Sequence, residues 1–514
     1  MIKRYAVKPE YELPEAGAVN LSERERRMLD FITGEQLARQ DLWRLFISAF
    51  ETKADDVDEG WRGEYWGKMM RGACLVYRCT SDKELYEVLT SAVLGLLETA
   101  EPDGRISGYS RDKECCGWDL WCRKYVLTGM LHFCDICTDE ALIDRIISAM
   151  VDHVKCLMKK VGDGESKIPV TETSRWWYGV NSCSILEPVL DLYSRTDDEE
   201  LFAFAAHIIA SGGCGGGNLI ELALEDKLSP YQYPETKAYE TISFFEGVLA
   251  YYELTGEQKY FDAVTRFFNR VLRDEITIIG CAGCTHELFD NSAVCQTEQR
   301  EIIMQETCVT VTWMRFCARL FLLTGDERYA EQVERSAVNA LYGSVNLKKQ
   351  VFFDKGPGKN LLLPFDSYSP LYMSKRGKGV GGLKYYPDGS YYGCCACIGA
   401  AGLAVYPLIE ALRKKRKEDS FVLEEHRLNG KLAFTYGPYV LARDSEKEPE
   451  DITLPVKPLY ENSKPIYTLE QPKDDETVRL RLKTETGLVL LTDYASCGQR
   501  WAETDKIMTV WMNG

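Results

Sequence analysis

Histidine is almost missing from this chain: five occur in 514 residues, His132, His153, His207, His286 and His426. Sugar epimerases and lyases on helical toroids usually need paired histidines or a Tyr/His base at the barrel mouth, so this scarcity weighs against that class. Long apolar runs are missing too. None reaches the roughly 20 residues that span a bilayer, and no membrane partner is expected. Clustered positive charge is scarce: the formal net charge is −17, and the one basic run, Arg413-Lys414-Lys415-Arg416-Lys417, is followed at once by Glu418 and Asp419. That run reads as a solvated helix C-terminus favourable to the dipole, and no nucleic acid partner is expected. The opening "MIKRYAVKPEYELPEAG" has neither a continuous apolar core nor a small-residue cleavage site, so the expected location is cytoplasmic.

Cysteine and tyrosine are plentiful instead, at 19 and 29. Without an export signal the cysteines imply a reducing compartment and mostly free thiols, many of them core fillers. The tyrosines suggest aromatic-lined grooves. A chain of this length exceeds one ordinary core and suggests a large barrel, or a main domain with an accessory one.

Short connectors recur, each followed by an amphipathic helix: "CTSDKELYEVL", "CTDEALIDRII", "RTDDEELFAFA", "LTGEQKYFDAV" and "LTGDERYAEQV". Their threonines, Thr80, Thr138, Thr196, Thr255 and Thr324, lie 58, 58, 59 and 69 residues apart. Each connector combines Thr with Asp or Gly as turn and cap, acids in the first helical turn, and then apolar residues at three- and four-residue spacing. The unit is a helical hairpin, and five connectors imply about six of them. The inner helices are apolar and aromatic along their length, which favours closure into an (α/α)6 toroidal barrel over an open solenoid. The longest interval carries a polar, Cys-rich loop, which places a site at one rim. Beyond residue 418 period-two stretches such as "KLAFTYGPYVLARD" appear, so the expected organisation is a barrel over 1–417 and a small β-sandwich-like domain over 418–514.

The rim loop presents Cys281, Cys284, Glu287, Cys295, Glu306 and Cys308. Glu306 and Cys308, two apart, share a side in extended chain and suit a metal just ahead of a helix start. Cys394 and Cys395, in "GSYYGCCACIGAAGL", are adjacent and on a turn can reach one ion. One carboxylate and three thiolates make a tetrahedral zinc site. Spacing alone leaves alternatives: these thiols as core fillers, a closed structural zinc on Cys281-x-x-Cys284 with Cys394 and Cys395, or Cys397 as a competing ligand. The aromatic groups Arg175–Gly179 ("RWWYG"), Trp118 with Trp121, and Tyr391-Tyr392 suit either sugar stacking or core packing.

"QETCVTVTWMRFCARLFLLTGDERYAEQVERSAVNALYGS", the double cysteine, "FTYGPYVLARD" and "LTDYASCGQRWAETDKIMTVWM" resemble segments of the zinc-dependent cysteine glycosidases of glycoside hydrolase family 127, typified by bacterial β-L-arabinofuranosidases. The resemblance implies an (α/α)6 barrel with β-sandwich material and retaining hydrolysis of a plant-type oligosaccharide or glycoside. It also implies Zn²⁺ on Glu306, Cys308, Cys394 and Cys395, with Cys394 as nucleophile. Glu287, in "HELF", would be the acid/base, and Glu334, in "VERSAVNAL", a sugar-hydroxyl contact. This chain departs from the family in several places. Glu287 stands 19 residues before Glu306, a longer interval than expected. Ser184 and Lys237 stand where such enzymes present a sugar-binding His pair, so Lys237 is expected either to meet a substrate carboxylate or to pair with Glu240. Ser184, Lys237, Glu334 and Tyr392 make up the expected substrate-binding set. One sandwich is missing, since only 16 residues separate Lys415 from Leu432. The alternative reading is accordingly a non-catalytic, zinc-stabilised carbohydrate-binding scaffold. The oligomeric state is left open.

Overall fold

The recurrence of the threonine connectors has a physical cause in the computed structural model, which describes residues 5–298, 304–351, 363–377, 379–413, 421–445 and 448–514. Helices α1 (Glu23–Ile32) and α2 (Gln40–Thr52) precede α3 (Arg62–Thr80), α4 (Lys83–Leu97), α5 (Asp119–Cys134), α6 (Glu140–Met158), α7 (Leu186–Thr196) and α8 (Glu199–Ala210). Then come α9 (Ala238–Thr255), α10 (Gln258–Asp274), α11 (Thr307–Thr324), α12 (Glu327–Ser336) and α13 (Cys394–Glu410). At the ends of α3, α7, α9 and α11 the Thr hydroxyl donates to the carbonyl four residues back and accepts the N–H two residues on. A left-handed residue follows it, Ser81, Asp197, Gly256 or Gly325, closing the helix. Asp82, Asp198 and Asp326 then cap α4, α8 and α12, each cap being worth about 1 kcal/mol. Thr138 is the exception: α5 ends at Cys134, and Thr138 lies in the loop, where its N–H meets the Tyr86 hydroxyl.

Helix α3 packs on α5, α5 on α7, α7 on α9, α9 on α11, α11 on α13, and α13 back on α3. This ring of six is the inner wall of an (α/α)6 barrel. Helices α4, α6, α8, α10 and α12 lie outside it, and α1 against α13 completes the sixth pair. The wall helices are buried nearly all round. Carboxylates on their inner faces are matched by guanidinium groups: Arg315 donates to Glu187 and Glu246, both at 3.1 Å, and Arg319 to Glu253 at 2.7 Å. Such pairs tie α7, α9 and α11 together, and losing one partner would strand a buried charge.

A short hairpin, β1 (Leu383–Tyr385) and β2 (Tyr391–Gly393), leads into α13. After it come β3 (Leu423–Leu428), β4 (Lys431–Tyr436), β5 (Tyr439–Asp444), β6 (Tyr467–Leu469), β7 (Arg479–Thr484), β8 (Gly487–Asp493), β9 (Met508–Thr509) and β10 (Met512–Asn513). They form one eight-stranded antiparallel sheet in the order β10-β4-β5-β8-β7-β6, with β3 on β4 and β9 on β5. Leu432, Phe434, Leu441, Leu480 and Leu491 fill its own small core. The sheet is fastened to the barrel by Asn339, which donates to the Pro438 carbonyl and accepts from the Val440 N–H. Arg376 adds donors to the carbonyls of Gly343, Tyr494 and Cys497. The basic run beyond Arg413, and with it the boundary expected at 417/418, lies outside the described residues. Among the described residues no helix is long and apolar enough to cross a membrane.

Candidate metal centre

Two wall helices begin at the same place. Glu306 is the N-cap of α11 and Cys308 its second residue, while Cys394 and Cys395 open α13 after the N-cap Gly393. All four side chains are buried, and their ligand atoms lie within 4.8 Å of one another. The Cys308 sulfur is 3.6 Å from that of Cys394 and 3.5 Å from that of Cys395, and the latter two are 3.9 Å apart. Glu306 Oε1 is 3.8 Å from Cys394 Sγ and 3.4 Å from Cys395 Sγ. The helix N-termini supply positive dipole ends, which favour anionic sulfur.

The residues fit a metal. A tetrahedron built on zinc–sulfur bonds of about 2.3 Å has edges of about 3.8 Å, and the sulfur–sulfur distances straddle that value. Glu306 Oε2 is buried with no hydrogen-bond partner, an arrangement that costs free energy unless a cation satisfies it. Burial pushes the Glu306 carboxyl and the Cys308 and Cys395 thiols well up. The Cys394 thiol goes well down, because Cys308 and Cys395 donate to its sulfur and Lys68 and Lys237 stand near. Such a donor set sheds its protons to a bound cation.

Gly382 approaches the cluster from the other side. Its φ is +57°, and a Cβ there would lie 2.3 Å from the Cys394 sulfur. On α3, Lys68 donates to Cys308 Sγ at 3.3 Å and pairs with Glu64, which also accepts from Trp121 Nε1 at 2.6 Å.

The rim loop brings Glu287 to the barrel mouth. Lys237 and Leu288 form an antiparallel bridge, as do Glu306 and Tyr368. Lys237 Nζ donates to Glu287 Oε2, and the Tyr368 hydroxyl donates to Glu287 Oε1 at 2.7 Å. Burial opposes the charge of Lys237, but Glu240, Glu287 and Glu306 around it carry its pKa well above the usual lysine value. Glu275, at the end of α10, fixes the loop: Oε1 accepts from the Tyr231 N–H, and Oε2 from those of Asp290, Asn291 and Ser292.

Not every expected residue is at this centre. Glu334 is bound to Arg413, which also holds Glu327 and Glu410 at the C-terminal end of α13. A helix of 17 residues is roughly 25 Å long, so Glu334, paired with Arg413, sits at the opposite end from Cys394. Tyr392, two residues before Cys394, has a hydroxyl that accepts from Gln36 Nε2 and a ring that packs on Phe46. Ser184 is fully buried and its hydroxyl donates to the Asn181 carbonyl. Cys281 donates to the Glu306 carbonyl, Cys284 accepts from Gln305, and neither joins the cluster. Cys397, one turn into α13, is outside it as well. Lys237 pairs with Glu287. Trp118 and Trp121 pack edge-on to one another, whereas Tyr178 is 59% exposed. Trp177 and Tyr178 both have left-handed φ, 53° and 48°, a strained conformation for bulky residues that is typical of binding sites. Lys68, Gly382 and Tyr368 were not singled out in the sequence. Glu64 and Lys68, at i,i+4 on a wall helix, carried a signal; Tyr368 carried none.

A buried Cys3Glu cluster able to hold a metal, seated where two wall helices start, defines a class: (α/α)6 barrel proteins with a cysteine-rich centre at the mouth. The family model described as β-L-arabinofuranosidase, GH127 catalytic domain, matches residues 32–358. The chain belongs to this family of glycosidases. Among solved structures it is similar to a GH127 β-arabinofuranosidase (13% identity, TM-score 0.65), over 99% of this chain and 98% of that one. It is also similar to a GH127 β-L-arabinofuranosidase from Geobacillus stearothermophilus T6 (13% identity, TM-score 0.66), over 96% and 99%. A third structure, titled a glycoside hydrolase, matches at 14% identity and a TM-score of 0.56, over 91% and 94%. At these identities the structures attest the fold. Comparison with curated proteins gives no match.

Proposed function

We propose that this chain is a retaining glycosidase that removes a β-L-arabinofuranosyl or closely related sugar from plant-type oligosaccharides. Cys394 is the nucleophile, Glu287 the acid/base, and Glu306, Cys308, Cys394 and Cys395 the ligands of Zn²⁺. The observation that carries the reading is the Cys3Glu cluster at the starts of α11 and α13, beside Glu287, in a GH127 chain. Bound zinc would hold the sulfurs as thiolates at neutral pH. All nineteen cysteines are free, which agrees with work in a reducing, cytoplasmic setting.

Cys394 is the sulfur to attack, because of the three residues it alone keeps any exposure, 8% against 0% for Cys308 and Cys395. Its lone pair forms the bond to the anomeric carbon as the bond to the leaving oxygen breaks, and Glu287 delivers a proton to that oxygen. In the second half, Glu287 takes a proton from water, the water oxygen bonds the anomeric carbon, and the sulfur departs as thiolate, so configuration is retained. Both Glu287 oxygens accept hydrogen bonds here, from Lys237 and Tyr368. The first half requires Lys237 to release one oxygen. Glu240, three residues on along α9 with its Oε2 unpartnered, is the neighbouring carboxylate toward which the ammonium can turn.

The test is metal content per chain by elemental analysis, on the wild type and Cys394→Ser, beside hydrolysis of an aryl β-L-arabinofuranoside with the first-formed anomer read by NMR. One zinc per chain, less in the variant, and a retained anomer released only by the wild type are expected. Fully reduced protein without zinc would refute the mechanism.

A further inference from the structure

Three chemically identical thiols face one point, yet only one of them can be the nucleophile. Exposure separates Cys394 from the other two; a second asymmetry lies in what surrounds the sulfurs. Cys394 Sγ lies 3.7 Å from the Gly381 carbonyl, and Cys395 Sγ 3.9 Å from that of Ser367. Both neighbours are acceptors and make no demand on a sulfur lone pair. Cys308 Sγ instead receives the Lys68 ammonium at 3.3 Å. Lys68 is fully buried, its charge lies 4.2 Å from the Tyr239 ring centroid, and it is tethered by Glu64, itself held by Trp121. A buried lysine held by a carboxylate and an aromatic ring, with a remaining direction toward a ligand sulfur, is an oriented donor. A charge-assisted bond of this kind draws electron density from the atom that accepts it.

We infer that Lys68 is a positioning residue for the thiolate chemistry: by hydrogen-bonding the Cys308 sulfur it makes that thiolate a spectator ligand and leaves Cys394 as the sulfur with a free lone pair. The inference rests on the zinc–thiolate reading above. Three thiolates and a carboxylate around a dication carry a formal charge of −2, and Lys68 is the cation that offsets this excess at one named ligand. Glu64 sets how strongly it does so, because the two sulfur-side and carboxylate-side acceptors compete for the same ammonium.

Cobalt(II) in place of zinc reports the bond directly, through the sulfur-to-metal charge-transfer absorption. In Lys68→Met the Cys308 sulfur loses its donor, so the band moves to longer wavelength. On an aryl glycoside kcat falls about 10- to 100-fold, the range for outer-shell partners of metal ligands, with KM little changed. Lys68→Arg restores part of both. Glu64→Gln frees the ammonium for the sulfur and moves the band the other way, to shorter wavelength, which decides the matter even where Lys68→Met does not fold. Cobalt-loaded Lys68→Met and Glu64→Gln proteins with the wild-type spectrum would overturn the inference while leaving the metal site standing. A wild type that binds no cobalt would overturn the zinc reading itself, and this inference with it.

Discussion

Gly382 tests whether the Cys394 sulfur is held where the proposed chemistry needs it. A methyl group at this position would lie 2.3 Å from Cys394 Sγ and 3.0 Å from Cys394 Cβ. Non-bonded heavy atoms settle at about 3.5–4.0 Å, so in Gly382→Ala either the sulfur or the backbone just ahead of β1 must move by about 1.2–1.7 Å. A misplacement of about 1 Å in a reacting group costs roughly 100-fold in rate, or about 2.7 kcal/mol of barrier. Overpacking adds about 1–3 kcal/mol of lost stability, and the left-handed φ of +57° a further 1–2 kcal/mol or so for a residue with a Cβ. Gly389 supplies the control: its φ is +79°, and a Cβ there meets nothing within 4 Å. Gly389→Ala therefore carries the backbone strain without the clash. The assay is kcat/KM on an aryl glycoside, with zinc content and urea denaturation on both variants. Gly382→Ala should lose activity about 100-fold beyond Gly389→Ala. Equal activities in the two variants would refute the claim that the cradle fixes the nucleophile.

Glu275→Ala removes the acceptor for four backbone N–H groups, three just after Glu287 in the rim loop and one at Tyr231. Stability should fall by on the order of 3 kcal/mol in urea denaturation, and kcat should fall with zinc content unchanged, because the loop and not the cluster is released. Burial pushes the Glu240 carboxyl up to about 7, above its unfolded value of about 4.3. The folded chain thus binds this proton more tightly than the unfolded one. The resulting stability is fully present below about pH 4 and is lost as pH rises through about 7, amounting to about 4 kcal/mol. Glu240→Gln cannot ionise, so its Tm should gain on that of the wild type between pH 5 and pH 9; Tm curves that stay parallel would exclude the buried carboxyl as the cause.

The parts of this molecule that were legible in the sequence are those whose physics is local. The connector threonines could be read because helix end, turn and cap fall within about four residues of each of them, and the toroid followed from their spacing. The cluster could be read because its ligands come as two tight pairs, Glu306 with Cys308 and Cys394 with Cys395, each at the start of an apolar helix. The partners that shape the cluster are not local. Lys68 meets Cys308 across 240 residues, and Tyr368 meets Glu287 across 81. Neither contact leaves a trace in spacing, since barrel closure alone decides which wall helices face one another. Glu334 is placed by the same closure: its helix follows α11 directly in sequence, yet the hairpin turns it away to Arg413 at the far end of α13. In such a barrel each hairpin reverses direction, so a residue on a wall helix reaches the mouth when it lies near that helix's N-terminus. Glu64, Lys68, Lys237, Glu306, Cys308, Cys394 and Cys395 all satisfy this, and Glu334, on an outer helix, does not. The rule needs only the connector positions, and it makes the first two turns of each wall helix the place to look for whatever else meets the substrate.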